Sequence, residues 1–118
     1  MIYHITSKKE LAEAQAKGEY TAPSLQTEGF IHCSTAKQVV PVANAFYKGQ
    51  HGLVLLKLDE DRIKSPVKWE APAGPPAEGI NESDLFPHIY GAINLDAIAS
   101  VLDFEPDSAT GTFSFTEN

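Results

Sequence analysis

The sequence predicts an α+β fold in which most strands are antiparallel. Two segments in the first half of the chain have the composition and capping residues of helices. Short segments rich in aliphatic and aromatic residues surround them, and further such segments follow one another through the second half. Consecutive strands with no helix between them pair in antiparallel fashion. A length of 118 residues with 42% hydrophobic residues predicts one domain, spanning 1–118, with a single core.

The chain opens with a predicted strand over residues 1–5 and a helix that follows it at once. Ser7 is a helix-capping residue, and Glu10 three positions later completes a capping box. Leu11 and several alanines favour the helical state, and Gly18 is a suitable end point.

A polar connection over residues 19–28 leads to a second predicted strand, residues 29–33, and then to a second helix. Ser34 or Thr35 is expected to cap this helix, which should run to about Tyr47. Because proline disrupts a helix interior, Pro41 predicts a kink or a break into two short turns.

The most apolar run of the chain, residues 52–58, predicts a central strand that is buried on both faces. The segment 71–85 contains three prolines and two glycines, and a connection of this length predicts a functional lid or a disordered segment. Pro87 indicates an edge position or a strand start. The remaining expectations are a turn at 59–62, strands at Val67–Glu70, 87–93, 100–104 and 111–115, and a short helical turn at 95–98 capped by Asn94.

Charge and composition exclude several classes of protein. The net charge is −7: residues 1–58 carry six Lys and four acidic residues, whereas residues 59–118 carry three basic and twelve acidic residues. This acidity makes DNA binding unexpected. No run is apolar enough to span a membrane, and the N-terminus does not resemble a signal peptide. A single cysteine, Cys33, is expected to be a buried apolar residue and fits a reducing cytoplasm.

Three of the four histidines lie in strand-like runs and are each followed two positions later by a hydroxyl residue. Residues i and i+2 share one face of a strand, so each histidine should share a face with its hydroxyl partner. The pairs are His4 with Thr6, His32 with Ser34, and His88 with Tyr90. Three such pairs predict the floor of a polar cleft.

These residue types suit a nucleotide or a sugar phosphate. Neutral imidazole can donate to or accept from a ribose hydroxyl. Ser34 and Thr35 at a helix N-terminus would form an anion-binding element, and Tyr90 offers a ring for stacking and a hydroxyl for orientation. Glu70, just before the predicted lid, could bind a sugar hydroxyl or act as a base. Lys8, Lys9 and Lys37 lie near the first two histidine motifs and could favour a small anion, or they could simply be solvated.

The runs Tyr3-His4-Ile5-Thr6, Gly29-Phe30-Ile31-His32-Cys33-Ser34, Lys68-Trp69-Glu70 and Phe86-Pro87-His88-Ile89-Tyr90-Gly91 resemble the DUF952 family. The resemblance covers nearly the whole chain. Members are small, mainly bacterial proteins without an established activity. The resemblance implies an ADP-ribosylation-like fold: mostly antiparallel strands in two small sheets around an NAD cleft, with two flanking helices.

The same resemblance implies roles for individual residues. In the wider superfamily a first-strand histidine followed by Ser or Thr binds a ribose of NAD, which matches His4 and Thr6. A second strand that ends in Ser or Thr lines the nicotinamide side, and His32 with Ser34 resembles it. Transferases of the superfamily usually carry a glutamate on a late strand. Here that strand offers His88 and Tyr90, and Glu70 substitutes only if the fold brings it to the cleft.

Other interpretations remain open at this point. His4-Ile5-Thr6 and His32-Cys33-Ser34 resemble the paired H-x-[ST] motifs of two-histidine phosphoesterases, in which one histidine is the base and the other the acid. Three histidines and Glu70 could also satisfy zinc, although no tight ligand pair is present. A cleft without a competent base would bind a ligand without turnover. Each histidine could also be a structural residue.

Together with the resemblance to DUF952, the sequence predicts a small cytoplasmic enzyme or binding protein for NAD, ADP-ribose or a related nucleotide. If it is an enzyme, the reaction implied is transfer of an ADP-ribosyl or glycosyl group. The predicted catalytic residues are His32, His88 and Glu70, and no metal ligand is assigned. The predicted ligand-binding residues are His4, Thr6, Ser34, Thr35 and Tyr90. NAD is the expected co-substrate, and segment 71–85 is expected to close over it. Protein partners are not indicated.

Overall fold

A computed structural model describes residues 1–72, 78–81 and 83–116 and contains three α-helices and three antiparallel sheets in these ranges. The mixed α and β composition and the antiparallel pairing are as predicted. The helices are α1 (Lys8–Lys17), α2 (Ser24–Thr27) and α3 (Val39–Phe46). The strands are β1 (Ile2–Ser7), β2 (Glu19–Tyr20), β3 (Ile31–His32), β4 (Leu53–Leu58), β5 (Val67–Glu70), β6 (Phe86–Ile89), β7 (Ile93–Asn94) and β8 (Ile98–Asp103). Two 3₁₀ turns, Glu60–Arg62 and Leu95–Ala97, complete the described elements.

Strand β4, the middle strand of the sheet β1-β4-β8, contributes many buried apolar residues to the core. Leu56 and Leu58 face one apolar cluster, and Leu53 and Leu55 face another on the opposite side of the sheet. The prediction of a central strand buried on both faces is confirmed. β1 follows the same alternation, because Tyr3 and Ile5 join the second cluster while the intervening residues point to the other face.

The sheet that carries two of the three histidine motifs has the order β3-β6-β5, and a third sheet pairs β2 with β7. The described residues thus form three sheets where two were expected. His32 and His88 lie directly opposite each other on β3 and β6, and Lys68 lies opposite His88 on β5. Side chains at directly opposed positions share a face of the sheet.

Pro87 occupies the second position of a middle strand, so the edge position predicted for it is wrong, although it does lie close to a strand start. Its carbonyl accepts from the Cys33 N–H at 3.0 Å. The N–H and C=O groups of one residue point to the same side of a strand, so the missing N–H of Pro87 would face Cys33. That position lies just past the end of β3, where the ladder loses little.

The first helix forms as its capping residues predict. Ser7 Oγ accepts from the Glu10 N–H at 3.0 Å, and the Gly18 N–H donates to the Ala14 carbonyl at 2.8 Å. Gly18 has φ +98°, a left-handed conformation that glycine adopts without strain. Leu11 and Ala14 are the buried residues of this helix.

The connection 19–28 contains two elements where a polar loop was predicted: β2 and the single-turn helix α2. Tyr20 pairs with Ile93 of β7 and has no exposed surface. One buried aromatic side chain therefore fixes a segment whose other residues are mostly polar, and no periodicity in the sequence indicates it.

The second helix begins later than predicted. Ser34 and Tyr3 exchange backbone hydrogen bonds, 2.8 Å each way, so Ser34 is held in a bridge to β1 and caps no helix. A turn follows, and α3 starts at Val39. Pro41 is then the third helical residue, where an N–H has no intrahelical acceptor to lose. The helix is consequently continuous, and the predicted break is absent.

The second half of the chain departs from prediction in two places. The strand predicted at 87–93 is divided into β6 and β7, which belong to different sheets. No strand forms at 111–115; instead Phe113 is buried and stacks on Phe104 with ring centroids 4.7 Å apart. The short turn at Leu95–Ala97 follows Asn94 as predicted, but the Asn94 side chain makes no capping bond.

Residues 73–77 and 82 of the predicted lid lie outside the described residues. Within the parts of the chain that are described, no helix has the length and apolarity needed to cross a membrane.

Candidate functional site

A cavity of about 630 Å³ lies beside the polar faces of β1 and β3. Five of the eight predicted site residues line it: His4, Thr6, His32, Ser34 and His88. All three imidazoles therefore border one space. Thr35, Glu70 and Tyr90 are not part of its wall.

The His4 imidazole is buried, and both of its ring nitrogens have protein partners. Its Nδ1 lies 2.5 Å from the His32 carbonyl oxygen, and its Nε2 lies 2.7 Å from the Tyr20 hydroxyl. The Tyr20 oxygen is in turn 2.9 Å from Thr6 Oγ1. Burial lowers the pKa of His4 to about 4, so the ring is neutral at neutral pH.

The protons of this network follow from its chemistry. A carbonyl only accepts, so Nδ1 of His4 carries the ring proton and Nε2 accepts from the Tyr20 hydroxyl. Tyr20 then has no proton left for Thr6, and the Thr6 hydroxyl donates to the Tyr20 oxygen. Both His4 nitrogens are occupied by protein groups. His4 therefore shapes the cavity floor and holds β3 in place, and offers a ligand no free hydrogen-bonding atom in this arrangement.

His32 is oriented by a carboxylate that the sequence did not single out. Its Nε2 donates to Glu28 Oε2 at 2.8 Å, and both side chains line the cavity. Nδ1 of His32 makes no hydrogen bond within the described residues. With side chains 44% and 42% exposed, the pair lies at the solvent side of the cavity.

His88 is also oriented by a carboxylate, but it lies deep in the sheet, with 4% of its side chain exposed. Its Nδ1 donates to Glu70 Oε1 at 2.8 Å, and the Tyr90 hydroxyl donates to the same oxygen at 2.6 Å. No buried side-chain nitrogen or oxygen in the described ranges lacks a hydrogen bond. Nε2 of His88 has no protein partner there and so is not fully buried, and the residue lines the cavity.

The hydrogen bonds among Glu70, His88 and Tyr90 shift the pKa values of Glu70 and Tyr90. The hydrogen bonds from Tyr90 and then His88 lower the pKa of Glu70, and the bond to Glu70 raises the pKa of Tyr90. Glu70 is thus an ionised carboxylate that holds an imidazole and a phenol. Glu70 does not line the cavity and contacts it only through the His88 ring, to which it is hydrogen-bonded.

Phe30 connects the two carboxylate-bound histidines. Its ring stacks on His88 with centroids 4.2 Å apart and meets the edge of His32 at 4.8 Å. The centroids of the two imidazoles are 5.6 Å apart. The two imidazoles are thus neighbours in the wall of one cavity.

The predicted anion site at Ser34 and Thr35 does not form. α3 begins only at Val39, and the Thr35 N–H already donates to Gln38 Oε1 at 2.9 Å. Ser34 keeps its place in the cavity wall but has no helix N-terminus behind it.

The charge of the cavity wall is negative. Glu10 and Glu28 are its ionisable carboxylates, and no Lys or Arg occurs among the described residues that line it. Lys8, Lys9 and Lys37, which suggested a small anion, all lie elsewhere. Lys68 is near the site, but its Nζ lies over the ring of Tyr90, 4.8 Å from the ring centroid. Across the described ranges no group of three or more His, Cys, Asp or Glu side chains is arranged to hold a metal ion.

Sequence reasoning missed Tyr20, Glu28 and Phe30. Only Phe30 carried a local signal, since it shares a strand face with His32 two positions on. Glu28 reaches His32 because Gly29, at φ +88°, turns the chain between them. Tyr20 reaches His4 only through the pairing of β2 with β7, which no short motif encodes. Cys33 is buried, as predicted, and burial strongly raises the pKa of its thiol.

Antiparallel sheets and three helices define a small α+β protein in which three histidines line one cavity. A family model described as "Protein of unknown function (DUF952)" matches residues 5–101, and the chain belongs to this family. No curated protein sequence matches the chain.

Solved structures of protein CC0527 from Caulobacter crescentus are similar to nearly the whole chain. The crystal structure has 29% sequence identity and a TM-score of 0.81, covering 96% of this chain and 92% of that one. A crystal structure of a double mutant of the same protein gives a TM-score of 0.80 with the same identity and coverage. The solution NMR structure gives 0.72, with 92% and 88% covered.

Proposed function

We propose that this protein binds NAD, ADP-ribose or a related nucleotide in the histidine-lined cavity and acts on its ribosyl bond. The observation that carries the proposal is the convergence of His4, His32 and His88 on one cavity of about 630 Å³. That volume lies within the range of small-molecule sites, which runs from about 300 to about 1,000 Å³. An ADP-ribosylation-like fold, a single domain over 1–118 and a cytoplasmic location belong to the same proposal.

The charge of the wall supports one orientation of such a ligand. Glu10 and Glu28 disfavour a phosphate inside the cavity and favour a neutral or cationic group. NAD offers both kinds of group, because its nicotinamide ring is cationic and its pyrophosphate anionic. The nicotinamide riboside end would enter, and the pyrophosphate would remain at the mouth.

The apolar parts of the wall support a planar ring. Phe46, Tyr47 and Phe86 line the cavity together with the histidines. Aromatic side chains stabilise a flat heterocycle by stacking, and a few polar groups then fix its orientation. His32 and His88 each keep one ring nitrogen available for the ribose hydroxyls.

The H-x-[ST] phosphoesterase interpretation receives less support. It requires His4 and His32 to exchange protons with a phosphate ester. His4 has both nitrogens occupied and a pKa of about 4, so it is a poor proton carrier near neutral pH. The lining offers no Lys or Arg for the phosphate in the described ranges.

The binding proposal is tested by calorimetry with NAD and ADP-ribose on wild type and on His32→Ala. We expect saturable binding to wild type and about tenfold weaker binding to the variant, because one polar contact of about 1.4 kcal/mol is lost. His51→Ala is the matched control. His51 pairs with Glu105 at 3.1 Å outside the cavity, and its loss should leave the dissociation constant unchanged. Absence of binding to wild type, or equal weakening by both substitutions, would contradict the proposal.

A further inference from the structure

Glu28 gives the cavity a carboxylate to which no predicted role has been assigned. Its Oε2 accepts the Nε2 proton of His32 at 2.8 Å, and both side chains face the cavity. The backbone of Glu28 is fixed, because its N–H donates to the Ser24 carbonyl at 2.7 Å. The Glu28–His32 pair therefore has a fixed position in the cavity wall.

Resting on the proposed function, we propose that Glu28 and His32 form a proton-accepting dyad that makes a hydroxyl group the acceptor of the ribosyl unit. The acceptor class is water, an alcohol or a sugar hydroxyl. Glu28 holds His32 in the tautomer whose Nε2 carries the proton. The lone pair of Nδ1 accepts from a ribose hydroxyl when NAD alone is bound, and from the acceptor hydroxyl once the acceptor has entered.

The step balances with the groups named. The acceptor O–H transfers its proton to Nδ1 of His32 while its oxygen bonds to C1′ of the ribose. The bond between C1′ and the base nitrogen breaks, and its electron pair stays on that nitrogen. With NAD as donor the pyridinium nitrogen takes the pair and nicotinamide leaves neutral, so the leaving group needs no acid.

Glu28 matters most after the proton has moved. His32 is then an imidazolium whose Nε2–H points at a carboxylate, and this contact stabilises the new positive charge. The His32 side chain is 44% exposed, so the proton on Nδ1 can pass to bulk water and the dyad returns to its starting state.

The wall also selects the acceptor. A carboxylate acceptor carries no proton to remove and would meet the negative charges of Glu10 and Glu28. A neutral hydroxyl meets no such repulsion but is a weak nucleophile until a base takes its proton. A base at this position therefore helps only a neutral hydroxyl acceptor.

The experiment compares wild type, Glu28→Gln and Glu13→Gln in NAD binding and in NAD turnover with glycerol as a hydroxyl acceptor. Glu13 is an exposed residue of α1 outside the cavity and controls for the lost charge. We expect Glu28→Gln to bind NAD within about twofold of wild type while kcat falls about 100-fold, the scale of a general base. Wild-type kcat in Glu28→Gln, or transfer by wild type to the guanidinium of agmatine but not to glycerol or water, overturns the inference.

Nitrogen NMR of the nucleotide-free protein separates this inference from the binding proposal. We expect His32 to carry its proton on Nε2 in wild type and to lose that preference in Glu28→Gln. A proton on Nδ1 in wild type overturns the dyad whether or not NAD binds. Failure of wild type to bind NAD, with the expected tautomer present, overturns the proposed function and the donor assigned here.

Discussion

Lowering the pH from about 7 to about 4 should destabilise the protein by up to about 3 kcal/mol through His4 alone. Burial lowers the pKa of His4 from 6.5 to about 4, so the folded protein keeps the ring neutral where the unfolded chain protonates it. The stabilisation is fully present above pH 6.5 and declines as the pH falls toward about 4. Each unit of the pKa difference corresponds to about 1.4 kcal/mol.

The measurement is the free energy of unfolding in urea at a series of pH values for wild type and His4→Gln. Four carboxylates also have lowered pKa values, but they lose their contribution below the ordinary carboxylate range: Glu70, Asp96, Glu105 and Asp107. The slope between about pH 6.5 and about pH 5 therefore isolates histidine. We expect His4→Gln to lose most of that slope. An unchanged slope, or His4 resonances in wild type that titrate above about pH 6, would show that the ring is not buried as described.

Tyr20→Phe should lower the free energy of unfolding by about 1–3 kcal/mol. The substitution keeps the ring but removes the hydroxyl that joins His4 Nε2 to Thr6 Oγ1. Tyr20 and both of its partners are buried, so water does not readily replace the lost bonds. The variant should also loosen the contact between β1 and the β2–β7 pair, with faster amide exchange in β1.

Tyr47→Phe is the matched control for this prediction. Tyr47 lines the same cavity, and its hydroxyl makes no hydrogen bond within the described residues. Its removal should change stability by no more than about 0.5 kcal/mol. Equal losses for Tyr20→Phe and Tyr47→Phe would mean that the His4–Tyr20–Thr6 network contributes no stability of its own.

Short-range features of the sequence correctly predicted the elements that short-range interactions form. Ser7, Glu10 and Gly18 set the ends of α1 by short-range bonds, and the apolar run of β4 was sufficient to mark a central strand. The prediction was wrong where contacts with distant parts of the chain determine the local structure. Ser34 looks like a helix cap, but its backbone pairs with Tyr3, and residues 111–115 look like a strand but contribute only a buried Phe113.

The candidate site shows the same division. The alternation of side chains along strands predicted that His4, His32 and His88 would contribute to one cleft. All three line one cavity. The hydrogen-bond partners could not be foreseen, because Tyr20 and Glu70 reach their histidines through the pairing of separate strands. Those partners occupy both ring nitrogens of His4, and Glu70 bonds His88 from outside the cavity wall.

An NMR titration of isotope-labelled protein with NAD tests most directly whether the cavity binds a nucleotide. We expect saturable shifts of His32, His88 and Ser34, the cavity residues whose side chains remain available, with no change at His51. Shifts should be larger for NAD than for inorganic pyrophosphate, because the cavity wall is acidic. Shifts that do not saturate, or that appear only outside the cavity, would contradict the claim that this cavity is a nucleotide site.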